Sequence, residues 1–238
     1  MQVLTPPALR QGNRVGVFTP SWPAHWLFPE KYQHGLGALR KLGFDVVEGE
    51  LTGSRLSEGY RTGSAQERAD EFMRLILDPK VHALIATIGG LNSASLIPYL
   101  DFDAIRARPK VVCGYSDITS LHLAILRFSS VRTFYGPAVI NSFGEWPDVL
   151  EVTRVSFLDA VSDPHAAPRV LVPPKEWSNH FRDAQTDAWR TESRQYHPNA
   201  GWKAHGLGRR RDMSSSRTWK PSSLRPAPRI FRTWTARF

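Results

Sequence analysis

The chain has 238 residues, 41% of them hydrophobic, one cysteine and a formal net charge of +9. That length accommodates one large domain or two modest ones around a real apolar core. A single thiol excludes an intrachain disulfide, and no apolar run approaches the ~18 residues of a membrane helix.

The charge is unevenly placed. Residues 1–200 hold 21 basic and 21 acidic side chains, whereas residues 201–238 hold ten basic ones and a single acid, Asp212. Any affinity for nucleic acid or another polyanion therefore attaches to the tail alone, and nucleic acid is not the expected partner. The opening MQVLTPPALRQGN has neither a basic start nor an apolar stretch. It carries no secretory signal pattern, so the expected location is cytoplasmic, with no membrane partner.

In chain order, RVGVFTP (14–20) reads as a short apolar strand ending at Pro20. Residues 31–43 read as a helix, because Tyr32, Leu36, Leu39 and Leu42 recur at spacings of three and four and Gly43 closes it. FDVVEG (44–49) is a second strand. Residues 63–79 form a helix with Ser64 as cap, Glu67 completing a capping box, and Phe72, Leu75 and Ile76 as the inner stripe. VHALIATIGG (81–90) is a third strand, and SASLIPYL (93–100) a short helix. PKVVCGYS (109–116) is a fourth strand with its turn, DITSLHLAILRFS (117–129) a helix and VRTFYGPAV (131–139) a fifth strand. A helix follows at 148–161, and then Pro, Trp and polar residues without periodicity.

These strands are apolar throughout and alternate with helices. That pattern predicts an α/β fold: a mainly parallel sheet flanked by helices, of the Rossmann or flavodoxin-like kind. Ligands of such sheets gather beyond the carboxyl ends of the strands. Three turns meet that rule, at 19–23 (TPSWP), 89–93 (GGLNS) and 114–117 (GYSD).

Ser116 is the residue of interest in the last turn. A nucleophilic serine sits on a tight strand-to-helix turn with backbone N–H groups nearby. Gly114 leaves room for such a turn, although Ile118 stands where the familiar hydrolase elbow has a second glycine. Ser116 or Asp117 equally serves as a helix cap. Gly89 and Gly90 expose amides that suit an oxyanion, or simply make a bend. Of eight histidines, His122 lies too far along its helix to serve Ser116 and is expected to point away or into packing. Cys113 reads as a small buried thiol. Trp177 and Trp202 read as packing residues or as stacking surfaces for a nucleobase. No HExxH, zinc-like Cys/His spacing or Walker motif occurs, so no metal or cofactor is expected.

GNRVGVFTPSWP, the stretch from GYRTGSAQERADEF through GYSDITSLHLAIL, and TFYGPAVINSFGEWP together resemble the N-terminal part of the LD-carboxypeptidase family of serine peptidases. FGEWP, KEWSNHFRD and WRTESRQYHPNAGW are more similar to its microcin C immunity branch. The resemblance spans residues 12 to about 205. It implies that Ser116 attacks an amide carbonyl, that Gly89, Gly90, Asn92 and Asp117 belong to the oxyanion and substrate site, and that a Glu and a His of a C-terminal domain complete a triad. The implied substrate is a small peptide or a peptidyl nucleotide: an L,D bond of murein peptides or an amide of a toxin. Family members are often dimeric, which makes a homodimer the implied assembly. A non-catalytic α/β module holding a carboxylate or other anion is the alternative.

The same resemblance divides the chain into an N-terminal α/β domain at 1–145, a crossover and incomplete start of a C-terminal domain at 146–205, and an aberrant basic tail at 206–238. The tail has no apolar periodicity and is expected to be disordered. Shifting its reading by one base, with permitted codons, yields text like the family's continuation. The expectation is a single frameshift near Gly208, leaving Ser116 without its partners and the chain inactive.

Overall fold

Five short strands form one parallel sheet: β1 (Arg14–Phe18), β2 (Asp45–Glu48), β3 (Val81–Ala86), β4 (Val111–Gly114) and β5 (Phe134–Tyr135), in spatial order β2-β1-β3-β4-β5. The computed structural model describes residues 2–54, 60–165 and 172–201, and those up to 165 and from 173 onward form one compact unit. The order is the flavodoxin-like one. The chain steps from β1 out to β2 and then crosses back to place β3 on the other side of β1, which opens a switch point between β1 and β3.

Side chains alternate across this sheet with period two. Val15, Val17, Ala83, Ile85, Val111 and Cys113 face one layer of the core, and Phe18, Leu84, Ala86 and Val112 the other. The register sets Val17 beside Ile85 and Ile85 beside Cys113. Both faces are covered, which is why β1, β3 and β4 are apolar outside Arg14 at the start of β1 and the exposed His82 of β3. Helix α1 (Ala24–Leu27) leads into α2 (Pro29–Lys41), which covers the first layer with a π-helical turn at Val139–Phe143 and α7 (Glu151–Ser162). After β2 comes α3 (Glu50–Ser54). The second layer is covered by α4 (Ala65–Leu77), a 3-10 helix at Ser93–Tyr99, α5 (Phe102–Ala107) and α6 (Thr119–Ala124).

The sequence reading holds closely for β1 to β4, α2, α4 and α7. Ser64 and Glu67 form the full capping box of α4, and Phe72, Leu75 and Ile76 are buried. Three short helices, α1, α3 and α5, were not expected. The fifth strand shrinks from 131–139 to two residues, because β4 ends at Gly114 and offers only Cys113 and Gly114 as partners. The helix expected at 117–129 is a relay: a 3-10 turn at Ser116–Ile118, then α6, then a π-helical stretch at Ile125–Ser129.

Beyond α7 the structure adds a two-stranded antiparallel pair, β6 (Glu176–Trp177) with β7 (His197–Pro198), and α8 (Ala188–Thr191). This segment docks through a buried carboxylate. Glu145, 4% exposed, accepts Arg194 Nε at 3.1 Å and a terminal Arg194 nitrogen at 2.7 Å, and it also pairs with buried Arg182. Residues 206–238 lie outside the described residues, as does the frameshift expectation.

Candidate active site

The carboxyl ends of β1, β3 and β4 lead directly into the three turns singled out from the sequence, and hydrogen bonds join those turns into one wall. Trp22 N–H donates to the Gly89 carbonyl at 3.3 Å. Ser21 Oγ accepts the N–H groups of Leu91 (3.0 Å) and Asn92 (3.1 Å) and donates to Asn92 Oδ1 at 2.9 Å. From the third turn, the Asp117 carboxylate accepts the N–H groups of Asn92 (3.1 Å) and Ser93 (2.9 Å).

Ser116 stands at the centre of this wall in an unusual backbone state. Its φ is 62°, the left-handed region, and its side chain is exposed. For an L-residue without a β-branch that conformation costs about 1–2 kcal/mol, and such strain concentrates where a side chain must be presented in a fixed direction. The capping alternative fails for both residues. Neither the 3-10 turn nor α6 has a side-chain cap. The Asp117 carboxylate is spent on the neighbouring turn. The Ser116 carbonyl accepts Thr119 Oγ1 at 2.6 Å, and no hydrogen bond reaches the Ser116 hydroxyl among the described residues.

The glycines around Ser116 are required by contact. A Cβ on Gly114 would lie 3.0 Å from Ile118 and 3.1 Å from Ala86, so the elbow closes only with glycine there and with Ile118 packed beneath it. Gly90 has φ +158°, and a Cβ there would meet Ser21 Oγ at 2.1 Å. A Cβ on Gly89 would lie 3.2 Å from Ser116 Cβ and 3.4 Å from Asp117 N, which measures how closely the glycine pair approaches the serine. The amides of Gly89, Gly90 and Asp117 make no hydrogen bond among the described residues. A strained serine beside amides free to donate is an arrangement able to take up a tetrahedral oxyanion.

None of the described histidines serves Ser116. His122 Nε2 donates to the Gly114 carbonyl at 2.9 Å, which leaves Nδ1 buried without a partner among the described residues. Burial dominates over that bond and holds its pKa below the usual histidine value. His34 bonds the Glu145 carbonyl, His82 accepts the Arg14 N–H, and His180 lies 3.4 Å from Glu192. His25 is buried beside Thr19 at 3.4 Å. Cys113 is fully buried and its thiol is pushed up to about 12, as for an inert core residue. Trp177 is 48% exposed and lies against His197, ring centroids 5.2 Å apart and tilted by 42°; Trp202 lies outside the described residues.

Besides Glu145 and Arg182, two buried ionic groups near the turns escaped the sequence reading. Glu71, 1% exposed, accepts the N–H groups of Thr19 (3.1 Å) and Thr52 (2.8 Å), and burial raises its pKa against those bonds. Arg68 underlies the turns themselves. Both residues sit on α4 beside apolar neighbours. The exposed-side reading of a charged residue on an amphipathic helix hid them.

Residues 15–136 match the model of the LD-carboxypeptidase N-terminal domain. The chain belongs to the LD-carboxypeptidase family. An inferred carboxypeptidase of Vibrio cholerae serotype O1 is 40% identical over 204 residues, covering 85% of this chain and 58% of that protein. The microcin C7 self-immunity protein MccF of Escherichia coli is 40% identical over 171 residues, 72% of this chain and 49% of its own. The solved structure of that immunity protein in complex with aspartyl sulfamoyl adenosine superimposes with a TM-score of 0.77 at 36% identity, covering 83% of this chain and 58% of the other. This LD-carboxypeptidase family member thus spans about half the length of the curated relatives it matches, and its likeness extends to the MccF-type branch.

Proposed function

We propose that this chain carries the nucleophile of a serine hydrolase that cleaves an amide bond, with Ser116 as the attacking group. The observation that supports this most is the conjunction of a left-handed φ at an exposed Ser116 with the unclaimed amides of Gly89, Gly90 and Asp117 beside it. In the proposed step Ser116 Oγ bonds the amide carbon and the carbonyl π pair moves onto oxygen. The Asp117 and Gly90 N–H groups receive that oxyanion, and the hydroxyl proton passes to a base. Collapse of the adduct expels the amine, which needs a proton in turn.

The described residues bring no base to Ser116, and the family resemblance assigns that work to a His oriented by a Glu. On this reading the described residues alone support amide hydrolysis far slower than a complete triad, since oxyanion stabilisation and binding give only a small residue of full triad catalysis. The substrate is a peptide or peptidyl-nucleotide amide. Relatives include an inferred murein peptide carboxypeptidase of Bacillus subtilis, and the immunity protein was solved with glutamyl sulfamoyl guanosine as well. A cytoplasmic site of action belongs to the same reading, as does a homodimer. No described helix is long and apolar enough to cross a membrane.

The test is a chimera in which residues 202–238 give way to the C-terminal part of the Vibrio cholerae relative. Amide hydrolysis that appears in the chimera and vanishes with Ser116→Ala is the expected result. A folded chimera that stays inactive on both murein tetrapeptide and aminoacyl-nucleotide amides contradicts the proposal. The unclaimed amides also favour a second reading, a module that holds a carboxylate without chemistry; it predicts ligand binding that Ser116→Ala leaves intact.

A further inference from the structure

One cation ties two of the three turns, 19–23 and 89–93, together from below. Arg68 is 1% exposed. Its Nε donates to the carbonyls of Gly63 and Ser64, each at 3.2 Å. One terminal nitrogen donates to the Pro20 carbonyl and to Asn92 Oδ1 (3.0 Å), and the other to Ser95 Oγ (3.1 Å). A guanidinium presents its donors in fixed planar directions, so five acceptors around it make a rigid template rather than a loose charge.

The consequence falls on Asn92. Its amide oxygen accepts from both Arg68 and Ser21 Oγ, at 3.0 and 2.9 Å. Two donors on one side decide which way the carboxamide faces, because only the oxygen can accept. The NH2 group is left with no acceptor among the described residues, on a partly exposed residue of the turn that abuts Ser116.

We propose that Arg68 is a positioning residue which, with Ser21, turns the Asn92 NH2 outward as the donor to a carbonyl or carboxylate oxygen of the acyl group held beside Ser116. This rests on reading Ser116 as the nucleophile and adds a specificity element to it. The preferred acyl substrate carries an oxygen acceptor close to the bond that breaks. A plain alkyl acyl group would leave that NH2 desolvated and unpaired, which such a site rejects.

The experiment uses the full chain, 15N-labelled, with N-acetylglycine as the probe. In the wild type the Asn92 side-chain NH2 resonances shift on titration with the probe. In Arg68→Lys, which keeps the charge but loses the fork, that shift is lost and exchange of the Leu91 and Asn92 backbone amides accelerates at least ten-fold. Amides of β1 and β3 stay within two-fold of the wild type. Should Arg68→Lys not fold, Ser21→Ala removes the second donor to Asn92 and is read by loss of the Asn92 NH2 shift alone, because the Leu91 and Asn92 amides lose their own acceptor in that variant.

A wild-type NH2 pair indifferent to the probe overturns the proposal. So does a folded variant whose Asn92 shift and amide exchange match the wild type. A fluorophosphonate applied to the chimera described above, which brings the base to Ser116, separates the two claims. Failure to label Ser116 while Asn92 behaves as expected sinks the nucleophile alone, whereas labelling with an indifferent Asn92 sinks the positioning role alone.

Discussion

Ser116 holds its hydroxyl outward at the expense of backbone comfort, and that exchange is measurable. Glycine adopts φ near 62° without the Cβ penalty. Ser116→Gly should therefore raise stability by up to about 1 kcal/mol, the left-handed penalty less the extra chain entropy of glycine. Thermal melting reads this as a rise of roughly 2–4 °C, with Ser116→Ala giving no such gain; equal melting of the two variants counts against strain at this position. His122 supplies a pH signature, since its ring bonds the elbow's Gly114 carbonyl directly at 2.9 Å. Its folded pKa is lowered by burial while the unfolded value stays near 6.5. Above pH 6.5 neither state is charged and nothing is lost; as pH falls below it the unfolded chain takes up a proton that the buried ring resists, and stability declines. His122→Gln, whose amide can donate to the same carbonyl, should flatten the melting curve between about pH 6.5 and 5 relative to the wild type. Parallel pH profiles for the two would contradict this.

At the level of elements, what could be read from the residues followed from where each element's stability originates. β1, β3 and β4 are legible because burial on both faces keeps their central positions apolar, and α4 because its capping box and stripe are local. The short helix expected at 93–100 is present as the 3-10 helix Ser93–Tyr99, whereas α1, α3 and α5 depend on neighbours. A helix of four to six residues gains too little from its own hydrogen bonds to leave a pattern. α5 did carry one local sign, since Asp101 accepts the Ala104 N–H at 2.9 Å as an N-cap. The segment carrying β6, α8 and β7 was opaque for a different reason. It is attached by long-range ionic contacts, Arg182 and Arg194 on Glu145 and Arg190 on Glu30, which have no period in sequence. Removing Glu145 leaves Arg182, 7% exposed, buried without its carboxylate. Glu145→Ala should cost about 3–5 kcal/mol and open residues 180–195 to protease ahead of the sheet. A variant that melts like the wild type would show that the Glu145 ion pairs with Arg182 and Arg194 hold nothing.

Over the whole molecule, the sheet order turns a list of turns into a site. With order β2-β1-β3-β4-β5 the crevice must open at the ends of β1 and β3, and Ser116 follows the next strand over. The three turns, Ser116 and the glycine pair were legible because strand ends and glycines announce themselves locally. Arg68, Glu71 and the orientation of Asn92 were not, since burial of a charged side chain on α4 is decided by turns distant in sequence. The account's central claim is that the Ser116 hydroxyl is the nucleophile of this crevice. Mass-spectrometric mapping of the chimera carrying the relative's C-terminal part, after exposure to a fluorophosphonate, tests it most directly. The predicted result is a single adduct on Ser116. An unmodified Ser116 in folded protein, or an adduct that persists in Ser116→Ala, would contradict it.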